Sequence, residues 1–481
     1  MRQAAKRQPE QRRADGPKRS AGRHEELIGR LTTEYERKLR EKLAEFGEKV
    51  FTVDDIEELA LSLGHQVEQS LTEEVAEVQA EELQEQEKRA GLRRVACSEC
   101  GKQVTFRGHG KRSIVTRGGV MHLARRVYYC RRCNCDTVPL DRQMRVPYSS
   151  FSVRVERQVA KMGAGYAFET AMQTFEELTG VRVSAKEAQR ISIAAGEYAQ
   201  KLASEIASKA LRDVDSLAPQ RHEPGLLSYV LADGVHTPMR KDLCGQAYKE
   251  AKVGCVCVVE KSGNISQKSY THYLGEPIKF GQQLFGIAAA AGVAECARTV
   301  VLGDGAKWLW KLYARHFPDA EQILDWYHAC EHLAAVARGC LSASVENEEQ
   351  LSQRVNEWLG KAKTELAEGT INGVIALIKK LPAADNLRMN LRRRTAAYFD
   401  RNRERMHYKD CKKRGLWIGS GQIESGCKQV VSQRMKGPGM RWCEDGAMSM
   451  GALRAVAVST SLWEPTIGQW PGRSRSSVPV S

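Results

Sequence analysis

Tyr229-Val230-Leu231-Ala232-Asp233-Gly234 is the stretch whose reading decides the fold. Four apolar residues, opening on an aromatic and a β-branched side chain, are too few for a helix and suit a buried strand. The acid and glycine that follow end the apolar run, which puts a carboxylate at the rim of a sheet. Val300-Val301-Leu302-Gly303-Asp304-Gly305 repeats the pattern 304 − 233 = 71 residues later. Each glycine lets backbone and ligand approach closely. An Asp-Gly pair alone is an ordinary turn signal. Two on neighbouring strands can set two carboxylates around one pair of hard cations, which oxygen ligands select as Mg²⁺ or Mn²⁺.

Working outward, the same α/β texture predicts strands at Ser228–Ala232, Gly254–Val259, Ser269–Leu274, Thr299–Leu302 and Gln322–Leu324. A helix is predicted between Pro277 and Cys296. A third acid, Glu424, lies in the glycine-rich lead-in to a helix, Gly419-Ser-Gly-Gln-Ile-Glu424-Ser-Gly, and can be delivered to the rim from above the sheet. Two cations bridged by such acids stabilise the attacking and leaving oxygens of a phosphoryl transfer. Between Asp304 and Glu424, residues 345–408 read as helical and basic.

The expected organisation is a multidomain α+β chain. It comprises a disordered basic arm (1–23), a helical region (24–90), a cysteine-punctuated strand region (91–142) and a helical region (143–220). The first part of an α/β core (221–340), a helical insertion (341–412), the second part of the core (413–462) and a disordered tail (463–481) follow. In the helical region a break at Gly180 and a capping box at Ser184 and Glu187 permit a helix-turn-helix or a plain helical hairpin.

Cys97-Ser-Glu-Cys100 and Cys130-Arg-Arg-Cys133 form two knuckles separated by 130 − 100 − 1 = 29 residues. Four thiolates make a closed tetrahedral zinc site with a structural role. The spacer exceeds the common length, and strands between the knuckles suit a zinc ribbon. Cys135 is a spare able to replace Cys133. The other nine of the 14 cysteines are scattered.

Lys and Arg number 74 against 59 Asp and Glu, a formal +15, which favours a polyanionic partner through counterion release. The excess is clustered. Residues 1–23 hold eight Lys/Arg and two acids, and Gly101–Cys135 holds nine and none. Arg392, Arg393, Arg394, Lys428, Arg434, Lys436 and Arg441 are candidate phosphate contacts, and Trp442 can stack on an unpaired base. No apolar run reaches the roughly 18 residues of a membrane span. With no secretion signal read at the N-terminus, the expectation is a cytoplasmic, nucleoid-associated protein.

Asp325-Trp-Tyr-His328-Ala-Cys-Glu331-His332 resembles the Asp/Cys-x-x-His signature of the Mutator-like transposase superfamily. Gly419 to Lys428, Gln433-Arg434-Met-Lys436, Gly439-Met-Arg441-Trp442 and Tyr398 to Tyr408 are similar to the end of ISKra-type insertion-sequence transposases. The resemblance spans roughly residues 91–455. It implies an RNase H-like catalytic core in which Asp233, Asp304 and Glu424 are the acidic triad, with a helical insertion before the Glu and His328 in support. It further implies two Mg²⁺ or Mn²⁺ ions, one structural Zn²⁺, double-stranded DNA as partner and a homo-oligomer on that DNA. Three other readings compete. One is an inactive or domesticated zinc-ribbon DNA-binding protein, and another is a different RNase H-like nuclease. The third is a zinc metallopeptidase, because His328-Ala-Cys-Glu331-His332 matches H-x-x-E-H.

Overall fold

The computed structural model describes residues 16–47, 50–89, 94–146, 148–217, 222–223, 225–342 and 347–473. Two compact units emerge: one of residues up to Gln158 with Gln173–Val183 and the segment from Pro471, the other of Val159–Met172 and Ser184–Trp470.

In the first unit the helical region is two helices, Gly16–Phe46 and Val53–Arg89. The break has a local cause. Gly47 takes φ +58°, and Thr52 and Asp55 cap the second helix reciprocally, at 2.9 Å from Thr52 N and 3.2 Å from Asp55 N. The first helix begins inside the segment expected to be irregular, whose residues 1–15 lie outside the described ones. Four antiparallel strands follow: β1 (Arg94–Ala96), β2 (Gln103–Thr116), β3 (Gly119–Cys130) and β4 (Cys135–Thr137). The β2–β3 hairpin accounts for the long interval between the cysteine knuckles.

The second unit is built on a five-stranded sheet ordered β7-β6-β5-β8-β9. Strands β5 (Leu227–Pro238), β6 (Tyr248–Val259) and β7 (Ile265–Tyr273) form an antiparallel meander. Strands β8 (Arg298–Gly303) and β9 (Glu321–Leu324) then add in parallel to β5's other edge. All five predicted strands are present. Val230, Leu231, Val300, Val301, Ile323 and Leu324 are fully buried, as expected for strands covered on both faces. Helices Ala185–Arg212, Pro277–Ala290 and Glu444–Val458 pack in this unit, the first against the other two. The predicted turn forms at Gly180 (φ +69°) with Ser184 accepting from Glu187 N. The helix it starts is 28 residues long and carries nine buried residues.

Helices Glu348–Glu368, Ile371–Lys380, Asn386–Arg401 and Tyr408–Lys413 fill the interval before the third acid. The segment expected to be a disordered tail is ordered through Arg473. Ile467 and Trp470 are buried, and the Arg473 guanidinium meets the wholly buried Glu156 carboxylate at 2.6 Å. Residues 474–481 lie outside the described ones. No helix of the described residues is long and apolar enough to cross a membrane.

Candidate metal and phosphoryl-transfer sites

Asp233 does not end its strand. β5 continues to Pro238 because it stays paired with β6 along its whole length, Asp233 facing Val253. What ends near Asp233 is the parallel pairing with β8, whose last pair is Leu231↔Leu302. Carried two residues further, that register sets Asp233 beside Asp304, just past the end of β8. Asp304 is fixed by its own loop: its carboxylate accepts from Ala306 N at 2.9 Å, and its carbonyl accepts from the Tyr398 hydroxyl at 3.0 Å. Gly305 sits at φ +94°, where a Cβ would come within 2.8 Å of the Tyr398 ring, so glycine is required.

Burial raises the Asp233 pKa, and the neighbouring Asp304 charge raises it further. The 2.7 Å bond from Gly234 N, the nearby His328 and the Cys427 thiol oppose this. Proximity of two carboxylates on adjacent strands is thus visible both in register and in electrostatics.

Glu424 is exposed on the helix Gly421–Cys427, where the Ser420 hydroxyl donates to it at 3.1 Å. Cys427, three residues on and on the same face, places its thiol 3.8 Å from the Asp233 carboxylate. Burial pushes that thiol's pKa well up, and the negative charges of Asp233 and Glu424 add to the effect. Glu424 is therefore on the helix face turned to Asp233. The three carboxylates do not all lie within 4.8 Å of one another.

Asp325 ties the Glu424 segment to the sheet. It is 1% exposed, accepts from His328 N at 2.9 Å and from Ser420 N at 2.6 Å. It thus caps the helix Trp326–Leu341 while holding the glycine-rich lead-in. His328 Nε2 stands 3.9 Å from Asp304, and its Nδ1 stands 3.2 Å from Glu331. His332 instead stacks against Tyr398 at 4.1 Å. His328, His332 and the acids around them do not gather three ligand atoms within 4.8 Å. Cys427 and the Asp325–Ser420 link escaped sequence reasoning; the i+3 spacing of Cys427 from Glu424 was the available signal.

The candidate phosphate contacts divide. Arg393, Arg394, Lys428, Lys436 and Arg441 are exposed. Arg392 is half-buried and donates to the carbonyls of Lys379 and Leu381, where it closes the end of the helix Ile371–Lys380. Arg434 and Trp442 must be reassigned. Arg434 is 2% exposed, donates to Gly163 O at 2.8 Å and lies over the rings of Phe168 and Trp442. Burial, with Arg454 nearby, lowers its pKa to about 10. Trp442 is buried, and its indole N–H donates to Met435 O at 3.0 Å, so its ring packs the core.

In the first unit the thiols of Cys97, Cys100, Cys130 and Cys133 all lie within 4.8 Å of one another, a group able to hold one metal ion such as zinc. The Cys100 and Cys130 sulfurs are 3.8 Å apart. Four thiolates at about 2.3 Å from a tetrahedral zinc stand about 3.8 Å apart, so the spacing fits. After each knuckle the chain enters the left-handed region, at Gly101 (φ +69°) and Asn134 (φ +50°), which wraps backbone amides toward sulfur. Backbone amides of Cys100 and Glu99 bring the Cys97 pKa down to about 6, the thiolate form a metal needs.

Compared with models of known protein families and with curated proteins, the chain matches none.

Proposed function

We propose that this chain is a DNA transposase of the ISKra type, with an RNase H-like catalytic core and a zinc ribbon. It cleaves and joins strands at the ends of its element. The observation that supports the reading is the register of β5 and β8, which continued by two residues aligns Asp233 with Asp304, together with Cys427, on the helix of Glu424, reaching the Asp233 carboxylate. The sheet supports the fold reading, since a three-stranded antiparallel meander extended by two parallel strands on its first strand is the order of RNase H-like cores.

Asp233, Asp304 and Glu424 are the residues that would hold two Mg²⁺ or Mn²⁺ ions. Such ions supply charge stabilisation to the attacking and leaving oxygens of a phosphodiester. Burial between strands fixes Asp233, and the Ala306 amide and Tyr398 hydroxyl fix the loop of Asp304. Glu424 is exposed, and the Ser420 hydroxyl at its helix start donates to it. His328, with Nε2 3.9 Å from Asp304, would support that carboxylate. The exposed Arg393, Arg394, Lys428, Lys436 and Arg441 supply phosphate contacts, and double-stranded DNA is the partner. Assembly as a homo-oligomer on the two element ends, at the nucleoid of the cytoplasm, belongs to the same proposal.

The test is strand cleavage of DNA carrying the element ends, with Mg²⁺ supplied or withheld. Asp233→Asn, Asp304→Asn and Glu424→Gln should each abolish cleavage while DNA binding persists. Glu331→Gln and Glu404→Gln should retain activity. Binding without cleavage by the wild type would favour a zinc-ribbon DNA-binding protein that has lost its chemistry. Proteolysis abolished by His328→Ala and His332→Ala alike would replace the reading with a metallopeptidase.

A further inference from the structure

A fifth thiol stands at the cysteine cluster. The Cys135 sulfur lies 3.8 Å from that of Cys97, the same separation as between Cys100 and Cys130. Both distances equal the edge of a thiolate tetrahedron around zinc, about 3.8 Å. Cys135 is built into the sheet: it begins β4 and is the cross-strand partner of Cys130, itself a member of the tetrad. The first knuckle is joined to β4 independently, through Ser98 N donating to Thr137 Oγ1 at 3.2 Å.

Cys133, by contrast, projects from the turn between β3 and β4 and is half-buried, whereas Cys135 is 5% exposed. Cys133 is thus a ligand on turn backbone, half-buried as Cys100 also is. The thiol two residues on is held by a strand ladder, in van der Waals reach of Cys97.

We propose that the zinc site carries a reserve ligand: Cys135 completes a second tetrad, Cys97/Cys100/Cys130/Cys135, when Cys133 is modified or replaced. This rests on the cluster binding zinc at all. The ligand taken is a thiophilic divalent cation, and its retention no longer depends on Cys133. The Cys135 sulfur already stands beside Cys97, and Asn134, at φ +50°, bends the chain between Cys133 and Cys135. Without a reserve, the site would release its metal once Cys133 was oxidised or alkylated.

The experiment measures zinc per chain in full-length protein by metal analysis. Wild type, Cys133→Ser and Cys135→Ser should each hold about one zinc. Cys97→Ser and the double variant Cys133→Ser/Cys135→Ser should hold almost none. Zinc loss in Cys133→Ser equal to that of the double variant overturns the reserve ligand. A zinc-free wild type, or zinc retained by Cys97→Ser, overturns the zinc reading beneath it, and the two failures are distinct. With Co²⁺ in place of zinc, Cys133→Ser should keep the sulfur-to-metal charge-transfer intensity of four thiolates. The intensity of three overturns the proposal.

A second measurement needs no variant. Zinc-loaded wild type is alkylated stepwise with N-ethylmaleimide while released zinc and modified cysteines are followed together. Cys133 should be modified without metal release, which should come only with a further thiol. Release in step with Cys133 modification again overturns the proposal.

Discussion

His272 provides a pH-dependent stability whose size follows from its surroundings. It lies on β7 and is 2% exposed, and neither ring nitrogen has a hydrogen-bond partner. The helix Glu444–Val458 is pressed against it: a Cβ at Gly451 would stand 2.2 Å from the ring. Burial lowers its pKa from 6.5 to about 4. Below pH 6.5 the unfolded chain takes up this proton and the folded chain does not until about pH 4. Stability is therefore fully present above pH 6.5 and is lost as pH falls toward 4. The full difference is about 3 kcal/mol, of which about 2 kcal/mol is lost by pH 5.

Urea unfolding at pH 7.5, 6.5, 5.5 and 5.0, on wild type and His272→Gln, isolates the effect. All eight tryptophans lie between Trp308 and Trp470, in the unit that holds His272, so intrinsic fluorescence reports that unit. The wild-type minus variant difference should be flat above pH 6.5 and fall by about 2 kcal/mol at pH 5. Parallel curves across the whole range would refute the assignment of a neutral, wholly desolvated imidazole.

Four further outcomes are expected. Gly196→Ala would drive a Cβ to 2.0 Å from the Ser449 carbonyl, so the helices must part, at about 1–3 kcal/mol measured by the same urea titration. Arg434→Ala leaves Gly163 O unmet and removes the cation from between two rings; it should lower stability by at least about 1–3 kcal/mol. Lys436→Ala, at an exposed site, should leave stability unchanged and weaken DNA binding in a filter or anisotropy assay. The double variant Asp233→Asn/Asp304→Asn should cleave no worse than either single variant, since residues acting as a unit are not additive.

Strand existence was legible because each apolar run is short and bounded, but strand length was not. β5 was predicted to stop at Ala232, where hydrophobicity stops. Its ladder with β6 runs on through Gly234 and His236, residues that face solvent or cleft yet keep their backbone bonds. Apolar pattern reports burial, and backbone pairing extends beyond it. The cysteine cluster was fully legible, since ligand spacing within a knuckle is local chemistry. Arg434 was misread on charge alone, although its phase was visible. Val430, Val431, Arg434 and Met435 recur at i, i+1, i+4 and i+5, one helical face, and all four are buried.

The candidate site divides along the same line. Asp233 and Asp304 announce themselves because the end of an apolar run is written in consecutive residues, although β5 itself runs past Asp233. The contacts that tie the Glu424 helix to the sheet are not consecutive. Asp325 reaches across 95 residues to Ser420 N, and Cys427 across 194 to Asp233. Asp325 occupies the first place of the Asp-x-x-His motif, yet its carboxylate is spent on a helix cap and a loop amide, 1% exposed. His328, three residues on, is the member that faces Asp304. That motif therefore works as a bracket: its acid holds the lead-in of Glu424, and its histidine stands at the second carboxylate. The helical insertion closes the same bracket from the far side through Tyr398, whose hydroxyl holds the Asp304 carbonyl while His332 stacks on its ring. Tyr398 thus returns the inserted helices to the Asp304 loop, within the 120 residues that separate Asp304 from Glu424.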